Sequence, residues 1–323
     1  MKHFAFFVFI LVCFNTQSLR AEHTIKVLIL ESPDVPLPTE KAEKIGQING
    51  EILIDDTVYR GSFEVKQDEN GLHFISSLPF EKYIEGVIAA EIGQEWALEA
   101  LKAQAVAART YAMYQQTGTG ERDYQITSSM FHQSYKGENT NETISRAVKE
   151  TEGEILLYKG KPIQAFYHSA CRGNTELPDE VWGESLPYLR SVPCKGENSP
   201  YEQWRRRFYR DEIKKALKTG DIKDMSITAF TSTGRVKLLK IAAEDSETEV
   251  KAVDLRRLLG YRELPSTSFS ITIEGDEIIF EGGGYGHGVG LSQWGALELA
   301  NEGKNYKEIL KHYYPGAVLI KQW

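Results

Sequence analysis

Leu78 to Tyr114 reads LPFEKYIEGVIAAEIGQEWALEALKAQAVAARTYAMY, two helical patterns joined at Gly93, with the carboxylate Glu91 at the joint. Pro79 suits a first helical turn, Phe80 to Glu91 follow with Tyr83, Val87 and Ile88 on an apolar stripe, and Gly93 can take the left-handed conformation that ends a helix. Glu91 then falls in a last turn, where the helix dipole disfavours a carboxylate and helps to keep it protonated. The second pattern, Glu95 to Gln115, distributes Trp96, Leu98, Leu101, Ala105, Ala108, Tyr111 and Ala112 around most of its circumference. It therefore reads as a largely buried helix whose alanines let neighbours pack closely. Glu95, Glu99, Lys102, Arg109 and Thr110 form the remaining stripe, which on pattern alone faces water with Glu99 and Lys102 paired across one turn.

The other informative stretch is Glu281 to Pro315, EGGGYGHGVGLSQWGALELANEGKNYKEILKHYYP, a glycine-rich loop holding His287 and running into a helix over Ser292–Asn301. Ser292 suits the N-cap and Gly303 the C-terminal stop. The loop has no G-x-G-x-x-G register, and Ser292-Gln293 stand where a phosphate loop needs Gly-Lys-Ser/Thr, so phosphate binding is not indicated. Together the two stretches predict a cleft with one acid and several polar groups, since glycine loops allow close backbone approach and helix ends project side chains into open space.

Around them the chain reads as mixed α/β, or α+β. Short β-prone runs at Thr24–Leu30, Glu51–Ile54, Ser62–Lys66 and Leu72–Ile75 precede the first helix, with Glu69-Asn70-Gly71 as a hairpin turn. A strand hairpin, Glu154–Tyr158 and Pro162–Tyr167, delivers His168-Ser169-Ala170-Cys171 at its tip. Adjacent residues on a strand face opposite ways and no G-x-S-x-G elbow exists, so a serine nucleophile is not indicated. Arg205, Arg206 and Arg207 are the one compact basic run noted, read as a solvated face at a helix start. Tyr201 to Ile273 alternates helix and strand and offers no identifiable chemistry, and no internal repeat occurs.

The 323 residues are 41% hydrophobic and 26% charged, enough for a sizeable core, and the formal net charge of -8 with mixed signs argues against a duplex nucleic-acid binder. Lys2, the apolar run Phe4–Phe14 and the polar exit Gln17–Ala21 read as a secretory leader over residues 1–21, too short to span a bilayer, leaving residues 22–323 as the mature domain. The expected location is extracytoplasmic, with anchoring only if the leader stays attached. Cys13 leaves with the leader. Cys171 and Cys194 then read as one disulfide, since two cysteines and His168 fall short of a four-ligand zinc set.

In order along the chain, LPFEKYIEGVIAAEI, EALKAQAVAARTYA, FHQSYKG, FYHSACRGNTE, VWGESLPYLRSV and GGGYGHGVGLSQWGALELANEGKNYKEILKHYYPG resemble the stage II sporulation protein D family, which also contains amidase enhancers. The resemblance runs from about Ile25 to Val318. It implies an exported protein acting on the glycan strands of peptidoglycan, a lytic transglycosylase where active, favouring strands whose stem peptides an amidase has removed. It also matches Glu91 to the catalytic glutamate and Lys102 and Arg109 to substrate-contacting residues, seven apart on one helix face. Gln133, Tyr135, His168, Ser169, His287 and Gln293 match family motifs and are carried over as groove-lining. Some members hold zinc beside the segment corresponding to FHQSYKG. Here only His132 remains at that place, so neither zinc nor another cofactor is expected.

A single acid is chemically sufficient if the substrate supplies its own nucleophile, as the 6-hydroxyl of N-acetylmuramic acid does. A muramidase would need a second carboxylate, for which Glu95 or Glu99 are the candidates. A non-catalytic glycan-binding amidase enhancer, with an N-acetylmuramoyl-L-alanine amidase as partner, is the other alternative.

Overall fold

The computed structural model describes residues 23–32, 43–54, 57–68, 71–92, 96–118, 123–128, 133–139, 141–196, 198–244 and 246–323. The leader, the turn at Glu69-Asn70, Gly93, Glu95 and His132 lie outside them. Strands β1 (Thr24–Ser32), β2 (Glu43–Ile54), β3 (Thr57–Asp68) and β4 (Gly71–Pro79) lead into α1 (Phe80–Glu91), α2 (Leu98–Gly118), β5 (Ile126–Thr127) and α3 (Glu142–Glu150). Then come β6 (Glu154–Tyr158), β7 (Lys161–Pro162), β8 (Tyr167–His168), β9 (Gly173–Asn174), α4 (Pro178–Trp182) and β10 (Pro193–Cys194). Next follow β11 (Trp204–Tyr209), α5 (Arg210–Leu217), β12 (Ile222–Phe230), β13 (Val236–Ala243), β14 (Glu247–Lys251), α6 (Ala252–Leu259), β15 (Phe269–Glu274) and β16 (Glu277–Gly282). The chain closes with β17 (Leu291–Ser292), α7 (Gln293–Asn301), α8 (Tyr306–Tyr313) and β18 (Val318–Lys321). The fold is mixed α+β.

The first sheet runs β2-β3-β4-β1-β5, antiparallel except for the parallel β1–β5 pair. Its apolar face, with Ile25, Val27 and Phe63, packs on Phe80, Tyr83, Ile84, Val87 and Ile88 of α1 and on Leu101, Ala105 and Ala108 of α2. A second core joins Ala103, Val106 and Ala107 of α2 to Leu291, Ala296, Ile309 and Tyr313. One helix serves two cores because alanines ring it, and its lack of a single apolar stripe follows from burial on both sides.

Residues from Trp204 to Phe280 build a third core of their own, with Phe208, Ile213, Leu239, Leu255 and Phe280 inside. Here β11 pairs with β16 and β16 with β15, while β12, β13 and β14 form a separate antiparallel sheet. The expected helix start at Arg205-Arg206-Arg207 is corrected: these residues lie on β11, with helix only from Arg210. Trp204 and Phe208 are buried on the strand while Arg205 and Arg207 project outward beside Glu281 and Glu277. That alternation has the two-residue period of a strand.

α1 spans the expected Phe80–Glu91 and is capped at Ile92, whose backbone is extended and whose N–H bonds the Ile88 carbonyl. One other expectation changes in detail. The run Pro162–Tyr167 is not one strand; only Lys161–Pro162 and Tyr167–His168 pair, the latter in parallel with Leu291–Ser292.

Candidate active site

Parallel pairing of β8 with β17 places the strand tip at 167–169 beside the glycine loop. A bridge between Ala170 and Tyr285, hydrogen-bonded both ways at 3.0 and 2.7 Å, fixes the start of that loop. Glycine is required here by contact: at Gly290, with φ +74°, a Cβ would come 2.0 Å from the Phe166 carbonyl oxygen. At the loop's end Ser292 caps α7 by accepting from the Gly295 N–H. The disulfide between Cys171 and Cys194, with Cα atoms 6.2 Å apart, ties the segment after β8 to β10.

A cavity of about 660 Å³ lies between these elements and the third core. Its walls include Glu91 and Tyr111 from the two long helices, His168 and Ser169 from the strand tip, and His287 and Gln293 from the glycine loop and α7. Phe166, Trp182, Tyr201 and Tyr285 supply aromatic surface; Trp182 is 48% exposed, with its ring 5.0 Å from that of His287. Such a mixture of flat apolar faces and polar groups suits a carbohydrate, whose ring faces are apolar and whose rim is polar.

Glu91 is the last residue of α1, partly buried, and its Oε1 accepts the Ser134 N–H at 2.8 Å. Burial raises its pKa above the usual carboxylate range, against the opposing pull of the Ser134 hydrogen bonds, Lys136 and the Gln293 amide. Burial, which the sequence does not display, is thus the leading cause, and Lys136 is the cation that opposes it.

The two histidines are neutral. His287 is pushed down to about 3 by burial and then by Arg256 and Arg235, and its Nδ1 accepts the Val289 N–H at 3.1 Å. His168 is shifted well down by burial, then by His287 and Arg235. Its Nδ1 stands 3.2 Å from the Val289 carbonyl and so carries the proton, which leaves Nε2 as a buried acceptor without a partner among the described residues. The side-chain amide of Gln293 lies near enough to Glu91 to favour its charged form, yet its Nε2 makes no hydrogen bond of normal geometry among the described residues. Neighbouring cavity residues therefore offer one acceptor and one donor to a ligand.

The remaining expected groove residues are elsewhere. Gln133 is fully buried: its Oε1 accepts from the Tyr83 hydroxyl at 3.0 Å and its Nε2 donates to the Ala108 carbonyl at 3.1 Å. Tyr135 stacks on Tyr83, with ring centroids 5.5 Å apart, and its carbonyl accepts from the Tyr59 hydroxyl. Both pin the segment from beneath, and Ser134 between them is the residue that reaches the cavity, as alternation along an extended chain dictates.

Lys102 and Arg109 do share a helix face, but it is turned away from the cavity. Lys102 pairs with Glu99 at 2.8 Å and Glu150 at 2.6 Å. Arg109 has no exposed surface; it forms a bidentate pair with Glu81 and donates to the carbonyls of Val148 and Glu154. Each is satisfied by protein, so the expected substrate contact is corrected to a structural role joining α2 to α1, α3 and β6. Glu99 is likewise occupied, accepting the Tyr306 N–H at 2.8 Å.

The segment with no recognised chemistry supplies the opposite wall-forming set: Asp254, Arg256, Arg257, Tyr261 and Arg262 all line the cavity. The cluster DLRRLLGYR over residues 254–262 carried the signal, three arginines within seven residues. No group of three or more His, Cys, Asp or Glu side chains able to hold a metal occurs among the described residues.

Comparison with known proteins gives the family of the chain. Residues 68–158, which hold α1, α2 and the Ser134 segment, match the family described as Stage II sporulation protein, and residues 195–290 match a domain of unknown function. A stage II sporulation protein D of Bacillus amyloliquefaciens is 33% identical over 264 residues, covering 76% of this chain and 75% of that protein. The chain belongs to the stage II sporulation protein D family. Within reach of the same family, an uncharacterized protein of Brachyspira hyodysenteriae is 34% identical over 269 residues, 81% of this chain and 72% of its own length. An amidase enhancer of Bacillus subtilis is 30% identical over 293 residues, 73% of this chain but 40% of its own length.

Proposed function

We propose that this family member is an exported lytic transglycosylase that cleaves the MurNAc–GlcNAc bond of peptidoglycan, prefers strands stripped of stem peptides, and leaves 1,6-anhydroMurNAc ends. The observation that carries the reading is Glu91: a carboxyl whose pKa burial raises, on the wall of a sugar-sized cavity. Protonated Glu91 donates to the bridging oxygen as the C1–O bond breaks. The 6-hydroxyl of the same muramyl residue then attacks C1, and the Glu91 carboxylate takes its proton, restoring the acid for the next turnover. No water enters the balance. The Ser134 N–H holds the Glu91 carboxyl in place, while the neutral tautomer of His168 and the side-chain amide of Gln293 orient sugar hydroxyl and acetamido groups around that proton.

A two-carboxylate hydrolase has less support. Glu99 faces away from the cavity, and Asp254, which lines it, is ion-paired to Arg257 at 3.2 Å. The second reading is a glycan-binding amidase enhancer, favoured by the name of one relative, with an N-acetylmuramoyl-L-alanine amidase as partner. Mass spectrometry of glycan strands, with and without stem peptides, after incubation with residues 22–323 separates these. Anhydro-ended fragments from peptide-free strands are expected. Reducing-ended fragments would overturn the transglycosylase in favour of a hydrolase, and intact strands that stay bound would overturn it in favour of the enhancer. In cells, export of the protein follows from the leader over residues 1–21, and a fusion reporter active only outside the cytoplasm is the expected readout.

A further inference from the structure

The cavity's charge runs against that of the chain. The whole protein carries a formal net charge of -8, yet three arginines, Arg256, Arg257 and Arg262, line the cavity against two carboxyls, Asp254 and Glu91, the latter with its pKa raised by burial. All three belong to α6 and the turn that follows it. Arg256 is the inner member: its Nε donates to the Leu264 carbonyl at 2.9 Å and its guanidinium lies 4.7 Å from the centre of the Tyr261 ring, so it is held in place. Burial pushes it down to about 10, still cationic at neutral pH. Arg257 is exposed, and its one ion pair is the exposed i,i+3 contact with Asp254, weak enough to yield to a ligand. Arg262 is exposed at the cavity rim and makes no ion pair among the described residues. Behind the glycine loop, Arg235 is 2% exposed, lies so close to Gly288 that a Cβ there would meet its Cζ at 2.8 Å, and has no hydrogen-bond partner among the described residues on any guanidinium nitrogen. It adds to the positive field felt by His168 and His287.

A neutral amino-sugar strand has no use for such a wall. A muramyl residue whose stem peptide has been removed differs from one that retains it by a free lactyl carboxylate in place of an amide. We propose that α6 and its following turn read that free carboxylate, through Arg257 and Arg262 backed by the fixed charge of Arg256, and so make the third core the specificity element of the enzyme. The inference rests on the glycan reading of the cavity. It assigns a task to a domain that has none, and it replaces Lys102 and Arg109, whose charges are already met by Glu99, Glu150 and Glu81. Planar guanidinium forks suit a carboxylate, and charge-assisted bonds of this kind are the strong ones.

The test uses the full mature chain with Glu91→Gln, so that strands bind without being cut. Dissociation constants are measured for a peptide-free muramyl oligosaccharide and for the same oligosaccharide with its lactyl carboxylates converted to methylamides. In Glu91→Gln alone the free acid should bind about tenfold more tightly. Adding Arg257→Gln and Arg262→Gln should reduce that preference to about twofold or less by weakening only the free acid. The matched control, Arg205→Gln with Arg207→Gln on β11, removes the same charge away from the cavity and should keep the preference. A preference that survives loss of Arg257 and Arg262, or is absent from the start while both sugars bind, would overturn the inference and leave the glycan reading standing. If neither sugar binds to Glu91→Gln, the glycan reading itself fails and the inference with it.

Discussion

Two helices of this protein carry arginines that a sequence reader would assign to a ligand, and they use them in opposite ways. On α2, Arg109 is sealed between α1, α3 and β6 by Glu81 and two backbone carbonyls, and Lys102 is shared by Glu99 and Glu150. On α6 and the turn after it, Arg257 and Arg262 stand open on the cavity, Arg257 with one exposed pair to Asp254 and Arg262 with no ion pair among the described residues. Spacing tells which residues share a face; only the partners of that face tell whether a charge is spent on folding or left for a ligand. The catalytic proposal therefore joins an acid from one core to cations from another.

The contrast can be broken most forcefully at the acid. Glu91→Gln should lower cleavage by roughly 10²- to 10⁴-fold, the usual share of a general acid–base, with thermal stability unchanged or raised, as rates and melting on one sample would show. Arg109→Ala should do the reverse: because it strands Glu81 and opens a buried fork, about 3–5 kcal/mol of stability should be lost in denaturant melts while the folded fraction still cleaves. Cys194→Ser, or reduction, should cost about 3 kcal/mol for a loop of this length, read from the same melts. Lys102→Ala removes a partly exposed pair and should cost no more than about 1 kcal/mol, with no change in substrate preference.

The smallest effect sharpens the comparison through pH. Cleavage requires protonated Glu91, so its alkaline limb should lie above the ordinary carboxylate range, because burial raises this pKa. Lys136 favours the charged form, so Lys136→Gln should move that limb to higher pH in a kcat/KM profile. The same sign governs stability: the contribution of protonated Glu91 is present below the unfolded carboxylate value and is lost as pH rises through the folded one.

Much of this was legible beforehand. The strand runs before α1, both long helices and the cap of α7 by Ser292 follow from periodicity and cap chemistry, and Glu91, His168, Ser169, His287 and Gln293 do meet at one cavity. Gln133 and Tyr135 were misplaced because a motif does not say which of its alternating residues faces in. Ser134 does, and its neighbours anchor the segment from below. The arginine triplet on β11 drew attention to the wrong basic cluster, since Trp204 and Phe208 alternate with it in a short run that helix propensity alone misreads. The cluster on α6 was passed over because its relevance depends on a contact between two cores, a relation between distant segments that no local pattern encodes.

The most direct test is a crystal structure of the Glu91→Gln protein with a peptide-free muramyl oligosaccharide. The account predicts a glycosidic oxygen within hydrogen-bond reach of residue 91 and a lactyl carboxylate against Arg257 and Arg262. A sugar bound instead on the outer face of α2, beside Lys102, would contradict it.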